Sequence, residues 1–179
     1  MQLLGYSSWC TRGILIAFLL GKESVELQTK KTKKLITVDA MVENIFNYKV
    51  IGKRVDYTAI TNQLFQKIRT KSIIFLIGDF FNTEDLNLKL LAKKHEVIAV
   101  IIRDRFEEHP SAMGSVNFTD PQTFQKYDGV LNSTLIKKYE ANIYKNDEKL
   151  YENFKSSGVE FIKIYTDENI LVKMIKLFQ

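Results

Sequence analysis

Two uninterrupted apolar runs constrain this chain most. Ser72-Ile-Ile-Phe-Leu-Ile-Gly78 and Glu96-Val-Ile-Ala-Val-Ile-Ile102 are rich in β-branched residues and show no polar alternation. Such segments read as strands covered on both faces, as in a parallel sheet. Between them Leu86, Leu90 and Leu91 recur at helical spacing, and Lys93-Lys94-His95 places cations where a helix C-terminus favours them. Asn82 is the expected cap, with Asp85 at the third helical position. Strand, helix and strand in that order make a right-handed crossover. A third strand, Val159-Glu-Phe-Ile-Lys-Ile-Tyr165, follows a long helix. That helix starts at a cap among Asn132, Ser133 and Thr134 and runs to about Ser156. Tyr139, Ile143, Leu150 and Phe154 form its expected buried face, and Gly158 is its C-cap glycine. A terminal helix runs through Leu177-Phe178.

The first part of the chain reads differently. Ile14 to Leu20 is an apolar strand, Gly21-Lys22-Glu23 a turn, and Ser24-Val-Glu-Leu-Gln28 an alternating edge strand, together a hairpin. Thr37 is the expected N-cap of a helix carrying Val38, Met41, Val42, Ile45 and Phe46 on one face. A loop, Ile51-Gly-Lys-Arg-Val-Asp56, leads to a helix from Tyr57 to Ile68. Residues 105–131 are irregular, punctuated by Pro110, Gly114, Pro121 and Gly129, with a small hairpin from Ser115–Thr119 and Gln125–Tyr127. The whole predicts an α/β fold: a mostly parallel, Rossmann-like sheet with an antiparallel edge hairpin and helices on both faces. With 179 residues, two prolines and eight glycines, the chain offers no linker, and residues 1–179 read as one domain.

Composition removes several function classes. Apolar residues make up 45% and charged residues 26%, which excludes wholesale disorder. The single cysteine, Cys10, excludes an internal disulfide and a Cys-rich zinc site, and fits a reducing, cytoplasmic setting. The apolar run Gly13–Leu20 is too short to span a membrane, and no small-x-small cleavage site follows it. Charge is uneven: 12 Lys/Arg face 5 Asp/Glu in residues 1–72, against 14 and 16 in residues 73–179. The peak is Lys30, Lys31, Lys33 and Lys34, either a solvated turn or a patch for phosphate or an acidic partner. No aromatic residue is interleaved there, so stacking on single-stranded nucleic acid has no support.

Each of the three parallel strands ends in a carboxylate: Asp79, Asp104 and Asp167. Parallel strands bring their carboxyl ends to one rim, where ligands of such sheets bind. Converging carboxylates would favour a divalent cation; strand-end aspartates otherwise cap the next turn. Capping is the expectation for Asp104 and Asp167, and Asp79 admits both readings. The chain lacks Gly-x-Gly-x-x-Gly, the P-loop and Gly-x-Ser-x-Gly. Cys10 has no activating neighbour, His95 reads as a packed imidazole at a helix end, and His109 sits with Glu107 and Glu108 in the irregular segment.

From Ser72 onward the ordered motifs resemble a family. Gly78-Asp79-Phe80, Lys94-His95, Arg103-Asp104-Arg105-Phe106-Glu107 with Pro110, Asp120-Pro121-Gln122-Thr123-Phe124, Tyr139 and Tyr165-Thr166-Asp167 follow one another. That series resembles bacterial domain-of-unknown-function family fifty-eight, whose C-terminal half looks like a von Willebrand factor A domain. The resemblance covers about residues 72–178 well and the preceding part more weakly. It implies a metal-ion-dependent adhesion site in which Asp79 is a Mg²⁺ ligand. The loop Gly52-Lys-Arg-Val-Asp-Tyr57 matches the family's Gly-Thr-Asp-Leu region, but Val55 stands where the threonine belongs and Asp56 is its neighbour. The family's Asp-x-Ser-x-Ser element is absent, so the implied site is degenerate and holds Mg²⁺ weakly at most.

The resemblance further implies a non-catalytic interaction module working with a MoxR-type AAA+ ATPase or in an assembly. Two other functions compete with it: a Mg²⁺-dependent phosphoryl-transfer or hydrolytic enzyme using Asp79, and nucleic-acid binding through Lys30–Lys34. The enzyme needs a nucleophile or positioned base, and the motifs supply none. The family's strand order, 3-2-1-4-5-6, would set a strand between Ile14–Leu20 and Ile73–Gly78. Met1-Gln-Leu-Leu-Gly-Tyr-Ser-Ser8 resembles the end of the helix after that strand, so the domain reads as truncated at its N-terminus. Three outcomes follow: the two strands close up, a second chain supplies the strand, or the chain is a fragment that folds poorly alone, and the third is the expectation because Met1 falls mid-helix by comparison with the family.

Overall fold

The computed structural model describes residues 18–20, 25–28, 32, 34–48, 56–81, 83–119 and 126–177. Strands β1 (Phe18–Leu20) and β2 (Val25–Gln28) form an antiparallel hairpin whose register shifts between Leu19 and Leu20. Helices α1 (Leu35–Phe46) and α2 (Tyr57–Lys67) follow. Then come β3 (Ile73–Gly78), α3 (Lys89–Lys94), β4 (Glu96–Arg103) and the short α4 (Arg105–Glu108). A second antiparallel hairpin, β5 (Gly114–Thr119) and β6 (Lys126–Leu131), leads into α5 (Ser133–Ser157), β7 (Glu160–Tyr165) and α6 (Ile170–Leu177).

Among the described residues β3, β4 and β7 make a parallel sheet in that order, with Ile73 opposite Glu96 and Arg103 opposite Tyr165. The α/β class expected from the sequence is the class observed. Alternation within the strands divides the core. Ile74, Leu76, Val97, Ala99 and Ile101 face α2, α3 and α5, packing with Ile60, Leu64, Leu91, Leu150 and Phe154. Phe75, Ile98, Val100 and Ile164 face the other way and meet Met174 and Leu177 of α6. Phe154 is wholly buried and meets Phe80 edge to face at 5.6 Å between ring centroids. Burying a side chain of this kind contributes about 1.5–3 kcal/mol.

Several boundaries differ from expectation. α1 begins at Leu35, so Thr37 lies inside its first turn; the Lys34 N–H is taken by the Thr32 hydroxyl at 3.0 Å. The helix expected from Asn82 begins only at Lys89. Before it the chain turns at Glu84-Asp85, and Leu86 and Leu88 are both buried on either side of the exposed Asn87, while Leu90 is exposed. Asn82 lies outside the described residues. The hairpin expected from 115–119 and 125–127 is longer, six residues in each strand. Tyr57–Lys67 is helical as expected and is capped by Asp56. Gly158 ends α5 with φ 70, the left-handed conformation that glycine adopts without a Cβ penalty.

The turn Gly21-Lys22-Glu23 and most of the loop before Asp56 lie outside the described residues, as does Ile14–Ala17 of the first expected strand. So do residues 1–13, on which the strand order between β1 and β3 bears. No helix of the described residues is long and apolar enough to cross a membrane.

Candidate functional site at the carboxyl edge of the sheet

A buried arginine organises this edge. Arg103 ends β4 and is 1% exposed. Its Nε donates to the carbonyl oxygen of Asp79, at the end of β3. Nη2 donates to Asp147 Oδ1 on α5 at 3.1 Å, and Nη1 reaches Glu108 Oε1 on α4 at 3.5 Å. The guanidinium carbon stands 3.5 Å from the centroid of the Phe81 ring. Lys163 of β7 adds a second cation, donating to Asp147 Oδ2 at 2.8 Å and pairing with Glu108 Oε1. Tyr165 donates its hydroxyl proton to Glu108 Oε2 at 2.7 Å, and Tyr151 donates to Asp147 Oδ2 at 3.3 Å.

One buried and one half-buried cation thus meet two buried carboxylates. Charge leaves water at tolerable cost only when paired and hydrogen-bonded in this way. Burial pulls the Lys163 ammonium down, but Asp147 and Glu108 outweigh it and hold its pKa above the usual lysine range. Burial, then the charge of Asp147, raises Tyr151; burial, then the hydrogen bond to Glu108, raises Tyr165. Both phenols therefore remain donors.

The strand-end aspartates have separate tasks. Asp104 caps α4 in a capping box: its carboxylate accepts from the Phe106 N–H at 2.8 Å, and Glu107 accepts from the Asp104 N–H at 3.2 Å. Thr166 donates to its other oxygen at 2.8 Å. The Phe106 N–H first, and then the Thr166 hydroxyl, hold Asp104 below the usual carboxylate range. Asp167 accepts from Arg105 Nε at 2.7 Å. These contacts lace the turn after β4 to the turn after β7.

Asp79 is half-buried, and its Oδ1 accepts from the Phe81 N–H at 3.4 Å. The intervening Phe80 has φ 53 and is buried. Tyr57 lies close: burial, and then the charge of Asp79, raise its pKa above the ordinary phenol value. Asp56 is the N-cap of α2 and accepts from the Ala59 N–H at 2.8 Å. Among the described residues no three His, Cys, Asp or Glu side chains are grouped to hold a metal ion. Lys34 is exposed at the start of α1, and Lys30, Lys31 and Lys33 lie outside the described residues. His109 pairs through Nδ1 with Glu140 Oε1 at 3.0 Å and is exposed.

Beside the ion network lies a cavity of about 290 Å³ between α4, α5 and β7. Asp147 and Lys163 line it next to the network, with Tyr144, Tyr151 and Tyr165 around them and Glu140 and Glu148 also on α5. Sequence reasoning missed Asp147. It stands three residues before Leu150 and seven before Phe154, a carboxylate on the buried stripe of α5. A charge on such a stripe signals an ion pair inside.

Residues 11–149 match the family model described as "Protein of unknown function DUF58". No curated protein and no solved structure matches the chain. The matched segment includes Gly78-Asp79-Phe80, Lys94-His95 and the Arg103-Asp104 turn whose geometry is described above. With well over half of its length inside that match, the chain belongs to the DUF58 family.

Proposed function

We propose that the chain is a non-catalytic protein-interaction module of von Willebrand factor A-like architecture, working beside a MoxR-type AAA+ ATPase. The observation that carries this reading is the state of the carboxyl edge. Asp104 and Asp167 are engaged by donors of the chain itself, and Arg103 and Lys163 by Glu108 and Asp147. Charge gathered at that rim is spent on holding turns together. Four apolar side chains gather in solvent on α6: Leu171 is 69% exposed, and Ile170, Val172 and Ile175 are each at least half exposed, while Ile36 and Phe46 stand exposed ten residues apart on α1. Large apolar side chains gathered on an exposed helix mark an interaction surface.

Two assays test this. The full chain and a Leu171→Glu/Ile175→Glu variant are used as bait in extract of the native host, and the same preparations are assayed for phosphatase, kinase and hydrolase turnover. The expected result is an AAA+ ATPase retained by the wild type and lost by the variant, with no turnover. Turnover that survives purification and disappears in Asp79→Asn would overturn the proposal.

A further inference from the structure

The cavity beside the ion network has a charge that the network does not cancel. Its charged lining comprises Glu108, Glu140, Asp147 and Glu148 against the ammonium of Lys163, with His109 at its margin. Arg103 behind it neutralises one more carboxylate. Glu108 and Asp147 are committed to the two cations, and Glu140 to His109. Glu148 meets no cation among the described ion pairs, and its carboxylate, close by on α5, raises the pKa of the Tyr144 phenol. The cavity therefore repels anions and favours a positive charge.

Its walls add shape. Tyr144, 66% exposed, and Tyr151 line the cavity on one side of α5, one helical spacing of seven apart. Tyr151 is backed by Phe161, stacked at 4.8 Å, which fixes its ring. Tyrosine beside a carboxylate suits a planar guanidinium, which stacks on aromatic surface and donates to the carboxylate. Arg105 already treats Tyr165 in this way, with its guanidinium carbon 4.2 Å from the ring centroid while its Nε donates to Asp167. A volume of about 290 Å³ is at the small end for ligand sites and fits one long side chain better than a cofactor.

We infer that this cavity receives the guanidinium of an arginine side chain presented by a partner protein, held between Tyr144 and Glu148. The presenting partner rests on the interaction-module reading; the guanidinium site does not. The test is an NMR titration of the full chain with acetyl-arginine methylamide, its neutral isostere acetyl-citrulline methylamide, and free arginine. The expected result is saturable shifts confined to the backbone amides around Tyr144, Glu148 and Lys163, absent with the citrulline probe. Glu148→Gln is expected to weaken binding by about tenfold, the size of one charge-assisted hydrogen bond, and Tyr144→Ala to weaken it as well. Both side chains are exposed on α5, so neither variant removes core packing.

Absent or scattered shifts, equal binding of the citrulline probe, or unchanged affinity in Glu148→Gln would overturn the site. Tighter binding of free arginine than of the capped probe would assign the cavity to a free metabolite and overturn the partner side chain. Failure of the extract capture would leave these readouts unmoved, so the two proposals fail separately.

Discussion

His95 shows what single residues contribute here. The sequence places it at a helix end, and the structure buries it to 4% exposure with neither ring nitrogen hydrogen-bonded among the described residues. Burial, and then the neighbouring Lys94 charge, lower its pKa below the ordinary value of about 6.5. The folded chain therefore binds this proton less readily than the unfolded chain. By linkage, stability is full above about pH 6.5 and declines as pH falls from there toward the folded pKa. Urea unfolding across this range is expected to show that decline in the wild type and a smaller one in His95→Phe. Identical slopes would contradict the assignment. Arg103 and Asp147 were harder to read: charged residues are seldom fully buried, and only a carboxylate on the Leu150–Phe154 stripe announces the pair.

At the scale of elements, Arg103 joins the ends of β3, β4 and α4 to the middle of α5 through Asp79, Glu108 and Asp147. Removing one partner from a buried ion network leaves the others uncompensated, at about 3–5 kcal/mol. Arg103→Met, similar in length but neutral, is expected to destabilise the chain by that amount in denaturant unfolding; a loss under about 1 kcal/mol, the scale of an exposed pair, would show the network to be peripheral. Strands β3 and β4 were legible because uninterrupted apolar runs have few other uses, and β7, though interrupted by Lys163, was legible from its β-branched and aromatic residues after the Gly158 C-cap. The start of α3 was not, because Leu86, Leu90 and Leu91 mimic helical spacing while the chain before Lys89 turns at Glu84-Asp85 and buries both Leu86 and Leu88. Asp104 was legible as a cap; Asp167, expected to cap as well, accepts from Arg105 instead while Asn169 takes the Val172 N–H, and the Thr166 and Arg105 partners that lace the two turns are long-range and leave no local signal.

For the whole molecule, the sheet divides the chain into unequal faces. α2, α3 and α5 cover one, and α6 meets the other through Met174 and Leu177 while Ile170, Leu171, Val172 and Ile175 stand in solvent. Hydrophobic periodicity could locate the helices, but the side of α6 that stays uncovered depends on packing between distant segments. The carboxyl edge is held by internal ion pairs, and the proposed function puts partner binding on the exposed helix α6. Hydrogen–deuterium exchange of the full chain, with and without the ATPase recovered from host extract, tests it most directly. The ATPase is expected to slow exchange chiefly in Ile170–Leu177, with any change at the turns after Gly78, Arg103 and Tyr165 confined to the cavity-lining Glu108, His109 and Tyr165. Protection centred on those three turns, with α6 unaffected, would contradict it.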